Sequence, residues 1–111
     1  MIYYNKLVRD KIPEIILLKG KSCKTRKLDG DNFLLEIKKK LEEEVKEFLS
    51  DPSREELADI LEVVDSLSLI VGSSFNDVLQ IKEEKKQSRG GFSDHIFLEY
   101  VTESKQGENY I

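Results

Sequence analysis

Residues 41–61 read "LEEEVKEFLSDPSREELADIL", and this stretch predicts two helices joined by a short turn. Pro52 lacks the N–H that a helix interior needs, and Asp51 before it is biased away from the helical conformation. Ser53 followed by Glu56 fits a capping box that starts the second helix, although Asp51 capping a helix with Pro52 in its first position fits equally well. Because the turn is short, we expect the two helices to pack antiparallel.

Apolar periodicity on both sides of this stretch predicts four helices in all. We expect them over residues 11–19, 32–50, 53–71 and about 75–87. Asp10 is the predicted N-cap of the first helix. Residues 21–28 are predicted to form a loop or one edge strand, and residues 95–100, "HIFLEY", a short strand near the C-terminus.

The third predicted helix carries an apolar arc wider than half its circumference. The stripe consists of Leu57, Ile60, Leu61, Val64, Leu67 and Val71, widened by Val63 and Ile70. One neighbouring helix cannot cover such an arc. We therefore predict an all-α fold, a small helical bundle of about four helices that completes its core by oligomerisation as a homodimer or homotetramer.

Composition fits a single domain over residues 1–111, with the polar residues 102–111 as a mobile tail. The net charge of −4 and a pI of about 5.1 give no global field that attracts nucleic acid. A single cysteine, Cys23, excludes an internal disulfide. We expect a soluble, cytoplasmic protein without a membrane partner, because we find neither a signal peptide nor an apolar run of about 18 residues.

Two pairs of carboxylates flank the turn: Glu44 and Glu47 before it, Glu56 and Asp59 after it. Residues three apart share a helix face, so we expect the four side chains to meet at the seam between the helices. Unit charges about 4 Å apart repel by roughly 4 kcal/mol at an effective dielectric of 20. An oxygen-only set without His or Cys suits Mg²⁺ or Mn²⁺. The spacing of these carboxylates fits a solvated acidic helix surface as well as a metal site. A helix projection predicts that Glu43, unlike these four residues, points away from the seam.

The two acidic segments resemble the sequence pattern of a known protein superfamily. Residues 42–49, "EEEVKEFL", and 55–67, "EELADILEVVDSL", resemble the ExxE…ExxD pattern of the all-α NTP pyrophosphohydrolase superfamily, which includes MazG proteins, dimeric dUTPases and phosphoribosyl-ATP pyrophosphohydrolases. Residues 4–16, "YNKLVRDKIPEII", and 89–92, "RGGF", are similar to a MazG-like branch often called phosphoribosyl-ATP pyrophosphohydrolase-like or house-cleaning proteins. The resemblance covers about residues 3–100.

This resemblance implies an oligomeric Mg²⁺-dependent enzyme that hydrolyses a nucleoside triphosphate to the monophosphate and pyrophosphate. It assigns Glu44, Glu47, Glu56 and Asp59 as metal ligands, with Glu44 or Glu47 as the catalytic base. Glu43 matches the first Glu of a common family pair, where it would support the ligands or position water. The expected role is house-cleaning of the nucleotide pool.

Basic residues supply candidate phosphate contacts. Lys82, Lys85 and Arg89 resemble the positions that hold phosphates in MazG-like enzymes, and they equally fit the cation preference of a helix C-terminus. Lys6 and Arg9 are candidate nucleotide contacts or surface ion pairs. Two other functions stay open: a phosphoribosyl-ATP pyrophosphohydrolase of histidine synthesis, and a non-catalytic helical module that binds a nucleotide or a protein.

Overall fold

A computed structural model of the protein describes residues 1–102 and Gly107. It contains four helices: α1 (Ile12–Leu18), α2 (Gly30–Ser50), α3 (Arg54–Ile70) and α4 (Phe75–Arg89). The predicted all-α class is confirmed, and residues 21–28 form a loop. The predicted mobile tail lies, apart from Thr102 and Gly107, outside the described residues. No helix in the described part of the chain is both long and apolar enough to cross a membrane.

The predicted strand at residues 95–100 is wrong, because these residues are irregular. His95 has a φ of 57°, in the left-handed region, which interrupts extended backbone at the first residue of the segment. A strand also needs a partner to bind its N–H and C=O groups, and no strand exists among the described residues.

Local hydrogen bonds explain where the central helices begin. The Asp29 carboxylate accepts from the N–H of Asn32 at 2.8 Å and caps α2. Ser53 Oγ accepts from the N–H of Glu56 at 3.2 Å and caps α3, so of the two predicted starts the structure shows Ser53. The Ser53 cap fixes the first turn of α3, which carries Glu56, directly after the turn that joins α3 to α2.

The prediction that Asp10 caps α1 is wrong. The N-cap is Lys11, whose side chain makes no capping bond, and Pro13 lies in the first turn. The N–H of Ile12 instead donates to the carbonyl of Arg9 at 3.1 Å. A backbone turn therefore satisfies the N–H that a side-chain cap would have bound.

Two compact units follow one another along the chain, Met1–Leu79 and Gln80–Ile111. In the first, α2 packs against α3, and the turn between them is three residues long, so the predicted helical hairpin is confirmed. The prediction of a single domain over residues 1–111 stays a prediction.

The core of the first unit is small. Among described apolar residues, Ile37 of α2 and Val63 of α3 are buried, each 6% exposed. The predicted stripe on α3 is divided: Ile60, Val64 and Leu67 are half-buried, whereas Leu57, Leu61 and Val71 are exposed. The division follows from the packing, because α2 covers the side of α3 that carries Val63 and leaves the opposite flank open.

Candidate metal centre

Two groups of three carboxylates meet where the end of α2 faces the start of α3. Glu43, Glu44 and Glu47 form one group, and Glu44, Glu56 and Asp59 form the other. Within each group, one oxygen from every residue lies within 4.8 Å of the others. The structure therefore brings the four predicted carboxylates together, with Glu44 as the member that both groups share.

Glu44 is the most buried of these residues, at 6% exposed. Its Oε1 lies 3.2 Å from Nζ of Lys40, but its Oε2 is buried and has no hydrogen-bond partner among residues 1–102 and Gly107. Burial raises the pKa of Glu44 above its usual range, because desolvation disfavours the charged form, and the neighbouring Glu47 adds to the rise. An oxygen of this kind is costly unless something binds it.

Glu56 provides a second oxygen of the same kind. The side chain is half-buried, and its Oε2 is also buried without a hydrogen-bond partner among the described residues. Buried carboxylate oxygens are nearly always paired in folded proteins. The two unpaired oxygens belong to residues of one carboxylate group, so both could act as ligands of a bound cation.

The prediction that Glu43 projects away from the seam is wrong. Glu43 is half-buried and belongs to the first carboxylate group. The helix projection considered only the contact with α3, whereas Glu43 also faces the segment ahead of α1, where its Oε1 lies 3.0 Å from Nζ of Lys6. The hydrogen bond from Lys6 holds the pKa of Glu43 below its usual range, and the same bond raises the pKa of Lys6.

Three cationic side chains contact the carboxylates: those of Lys6, Lys40 and Arg9. Lys6 pairs with Glu43, Lys40 pairs with Glu44, and Nη2 of Arg9 donates to Oδ1 of Asp59 at 2.8 Å. Lys6 and Arg9 were predicted to make either nucleotide contacts or surface ion pairs, and the structure shows the ion pairs. Five carboxylates against three cations leave a formal charge of −2 when all are ionised, which is the charge that one divalent ion would balance.

Sequence reasoning missed Lys40, whose Nζ lies 3.2 Å from Glu44 and 3.5 Å from Glu43. The sequence spacing did indicate these contacts. Lys40 lies four positions before Glu44 and three before Glu43, and residues at these spacings share a helix face. The lysine is mostly buried, so it is part of the site rather than a solvated residue near it.

A cleft of about 470 Å³ opens beside Glu44. Its apolar wall comes from the segment ahead of α1 and from the two packed helices, including Leu7, Ile37 and Val63. Its polar lining consists of Arg9, Asp10, Lys40, Glu44, Asp59, Glu62 and Ser66. Of the four predicted ligands, Glu44 and Asp59 therefore line the cleft, whereas Glu47 and Glu56 do not.

The basic residues of α4 belong to the second unit. Lys82, Lys85 and Arg89 are exposed, with Arg89 in the last turn of the helix. Gly90 has a φ of 85° and its N–H donates to the carbonyl of Lys86 at 2.8 Å, which ends the helix. Phosphate binding by these residues stays a prediction.

Comparison of the chain with models of known protein families, with curated proteins and with solved structures gives no match. The resemblance to the NTP pyrophosphohydrolases therefore depends on the sequence segments quoted above alone.

The donor set fits a hard divalent cation. All candidate ligands are carboxylates, and the groups contain neither imidazole nor thiolate. Mg²⁺ and Mn²⁺ prefer such oxygen ligands, and Mg²⁺ commonly keeps water and takes substrate phosphate oxygens as further ligands. The cleft adjoins this donor set at Glu44 and Asp59.

Proposed function

We propose that the protein is a Mg²⁺-dependent nucleoside triphosphate pyrophosphohydrolase, with Mn²⁺ as a substitute metal. The single observation that carries this proposal is the buried, unpartnered Oε2 of Glu44 at the junction of two carboxylate groups. Glu44, Glu47, Glu56 and Asp59 would hold the metal. Bound metal would acidify a water molecule and offset charge on the phosphate oxygens.

The chain's own residues divide the remaining work. Water attacks the α-phosphorus, the bond from that phosphorus to the bridging oxygen breaks, and pyrophosphate leaves with the bridging oxygen. Glu47 is the exposed member of its group and is the proposed acceptor of the water proton, while Glu44 is kept as a ligand by its burial. Glu43 lies beside both and is held by Lys6.

Positive charge for the triphosphate would come from Lys40 and Arg9, which line the cleft, and from Lys6 beside it. Lys82, Lys85 and Arg89 remain proposed phosphate contacts from the resemblance. Arginine suits bidentate contact with phosphate oxygens. We expect the substrate to be a cytoplasmic nucleotide and the role to be house-cleaning of the nucleotide pool.

We also propose that the protein acts as a homodimer or homotetramer. Support comes from the small core and from the exposed flank of α3, where Leu57 and Leu61 are 48% and 52% exposed. Apolar surface of this kind on a helix is usually covered by a partner.

The deciding experiment is a pyrophosphate-release assay with Mg²⁺ over canonical and modified nucleoside triphosphates and phosphoribosyl-ATP. We expect release from at least one substrate and loss of at least a hundredfold in rate for Glu44→Gln, since removing one stabilising group typically costs about 10²–10³ in rate. Glu36→Gln is the matched control, because Glu36 lies on the same helix and pairs only with Lys39 among described residues. Absence of release from every substrate, or equal rates for Glu44→Gln and the wild type, would contradict the proposal.

One observation favours the second candidate, a helical module that binds a nucleotide or protein without catalysis. We call Glu43, Glu44, Glu47, Glu56 and Asp59 the acidic cluster. Part of its negative charge is already neutralised by Lys6, Arg9 and Lys40, and a purely structural ion-pair network would show the same contacts. The assay separates the two functions, and preference for phosphoribosyl-ATP over all other substrates would assign the histidine-synthesis activity.

A further inference from the structure

The segment ahead of α1 places two cations on the acidic cluster. Lys6 contacts Glu43 of α2 at 3.0 Å, and Arg9 contacts Asp59 of α3 at 2.8 Å. These pairs join residues 37 and 50 positions apart in the chain, so they are tertiary contacts rather than local ones. Leu7 between them is half-buried in the wall of the cleft. We call residues 5–10 the strap.

The strap covers the acids only in part. Both of its pairs are accessible to solvent, with the Arg9 side chain 55% exposed, so each contributes modestly to stability. The buried Oε2 atoms of Glu44 and Glu56 have no hydrogen-bond partner in the described part of the chain, in spite of the cations around them. These two oxygens of the acidic cluster therefore remain available as ligands for a small divalent cation, which could reach atoms that the lysine and arginine side chains do not contact.

A divalent ion held by the second carboxylate group would compete directly with Arg9. Asp59 belongs to that group, and its Oδ1 is the atom that Arg9 contacts. The ion would also repel the guanidinium and ammonium groups because their charges have the same sign. Arg9 and the metal are therefore alternative partners of one carboxylate.

We propose that the strap is an internal counter-ion that a divalent metal displaces: metal binding replaces Arg9 on Asp59 and loosens residues 5–10. This inference rests on the metal site of the proposed function. Displacement frees the guanidinium at the edge of the cleft, where the triphosphate would lie. Metal loading and exposure of a phosphate-binding cation are thus one event.

The first test compares the Mn²⁺ affinity of Arg9→Gln with that of Lys11→Gln and the wild type, by calorimetry or by the electron paramagnetic resonance signal of free Mn²⁺. Lys11 lies two residues further on and makes no ion pair with a described residue, so its variant carries the same change in net charge. We expect Arg9→Gln to bind Mn²⁺ about two- to fivefold more tightly than Lys11→Gln, the range that an exposed ion pair supplies.

The second test measures backbone ¹⁵N order parameters of the full chain by NMR with and without Mg²⁺. We expect the order parameters of residues 5–10 in the wild type to fall with Mg²⁺, and those in Arg9→Gln to be low already without metal. Equal Mn²⁺ affinities for the two variants, or strap order parameters that Mg²⁺ leaves unchanged or raises, would overturn the inference. In either case, metal binding by the wild type would leave the proposed function standing, whereas no metal binding at all would remove both.

Discussion

Two adjacent glutamates have opposite electrostatic roles in this site. Burial raises the pKa of Glu44, whereas the hydrogen bond from Lys6 lowers the pKa of Glu43. The charge on Glu44 is therefore a cost to the fold without metal, and the charge on Glu43 is a gain. A site whose central carboxylate is destabilised until a cation arrives is suited to binding that cation.

This difference predicts opposite stability changes in two neighbouring variants of the metal-free protein. The contribution of Glu44 is fully present below its ordinary value of 4.5 and is lost as the pH rises through its higher native pKa. The contribution of Glu43 is present above 4.5 and is lost as the pH falls through its lower native pKa. At pH 7 we expect Glu44→Gln to raise the free energy of unfolding and Glu43→Gln to lower it.

Urea unfolding of both variants with a chelator present, at pH 7 and again below pH 4, is the measurement. We expect both differences from the wild type to shrink at the lower pH. Two variants that change stability in the same direction at pH 7 would contradict the assignment of opposite roles.

At the scale of single residues, the sequence predicted which carboxylates lie close together, but it did not predict which cationic side chains pair with them. Glu44, Glu47, Glu56 and Asp59 follow from spacing along two helices joined by a short turn, which is local information. The pairs made by Lys6 and Arg9 depend on how the strap crosses the hairpin, and no periodicity in the sequence encodes that path. Glu43 was placed wrongly for the same reason.

At the scale of elements, the start of α3 positions half of the site. Ser53 caps the helix by accepting from the N–H of Glu56, so one hydrogen bond orients the first turn and the backbone of a candidate ligand. The sequence left Asp51 and Ser53 as alternative caps because both residue types favour that position. The structure assigns the cap to Ser53.

Ser53→Ala should therefore lower the free energy of unfolding by about 1 kcal/mol, the usual cost of removing a cap. It should also weaken Mg²⁺ binding, because the first turn that carries Glu56 loses its anchor. Ser50→Ala is the control, since Ser50 is exposed at the end of α2 and caps nothing. Thermal unfolding with and without Mg²⁺ measures both effects, and equal behaviour of the two variants would show that Ser53 is not the cap.

The two wrong element predictions have a common cause. Residues 95–100 have strand-like composition, and Asp10 is a good cap, but each property matters only in a suitable context. The segment 95–100 has no strand to pair with among the described residues, and the carbonyl of Arg9 already binds the N–H that begins α1.

At the scale of the whole molecule, the exposed flank of α3 predicts self-association. Leu57 and Leu61 lie one helical turn apart and are about half exposed. Burying such a side chain contributes about 1.5–3 kcal/mol. We expect the wild type to be a dimer or larger in light scattering coupled to size exclusion, and Leu57→Gln with Leu61→Gln to shift it toward the monomer. Leu18→Gln, at an exposed leucine of α1, is the control, and a wild-type monomer at micromolar concentration would contradict this expectation.

The width of the apolar arc on α3 was visible in the sequence, whereas the identity of its cover was not. A helix projection shows how much surface needs burial. It does not show whether that surface meets another helix of the same chain or a second copy. In the structure α2 covers one side of α3, and the exposure of Leu61 on the other is the evidence for the proposed partner.

The central claim is that the carboxylates at the start of α3 and the end of α2 bind a divalent cation, and anomalous X-ray scattering from crystals soaked in Mn²⁺ tests it most directly. We predict an anomalous peak within coordination distance of the carboxylate oxygens of Glu44 and Asp59, with the Oε2 of Glu44 turned toward it. Crystals that contain Mn²⁺ elsewhere but show no peak at Glu44, with Lys40 and Arg9 still on their carboxylates, would contradict the account.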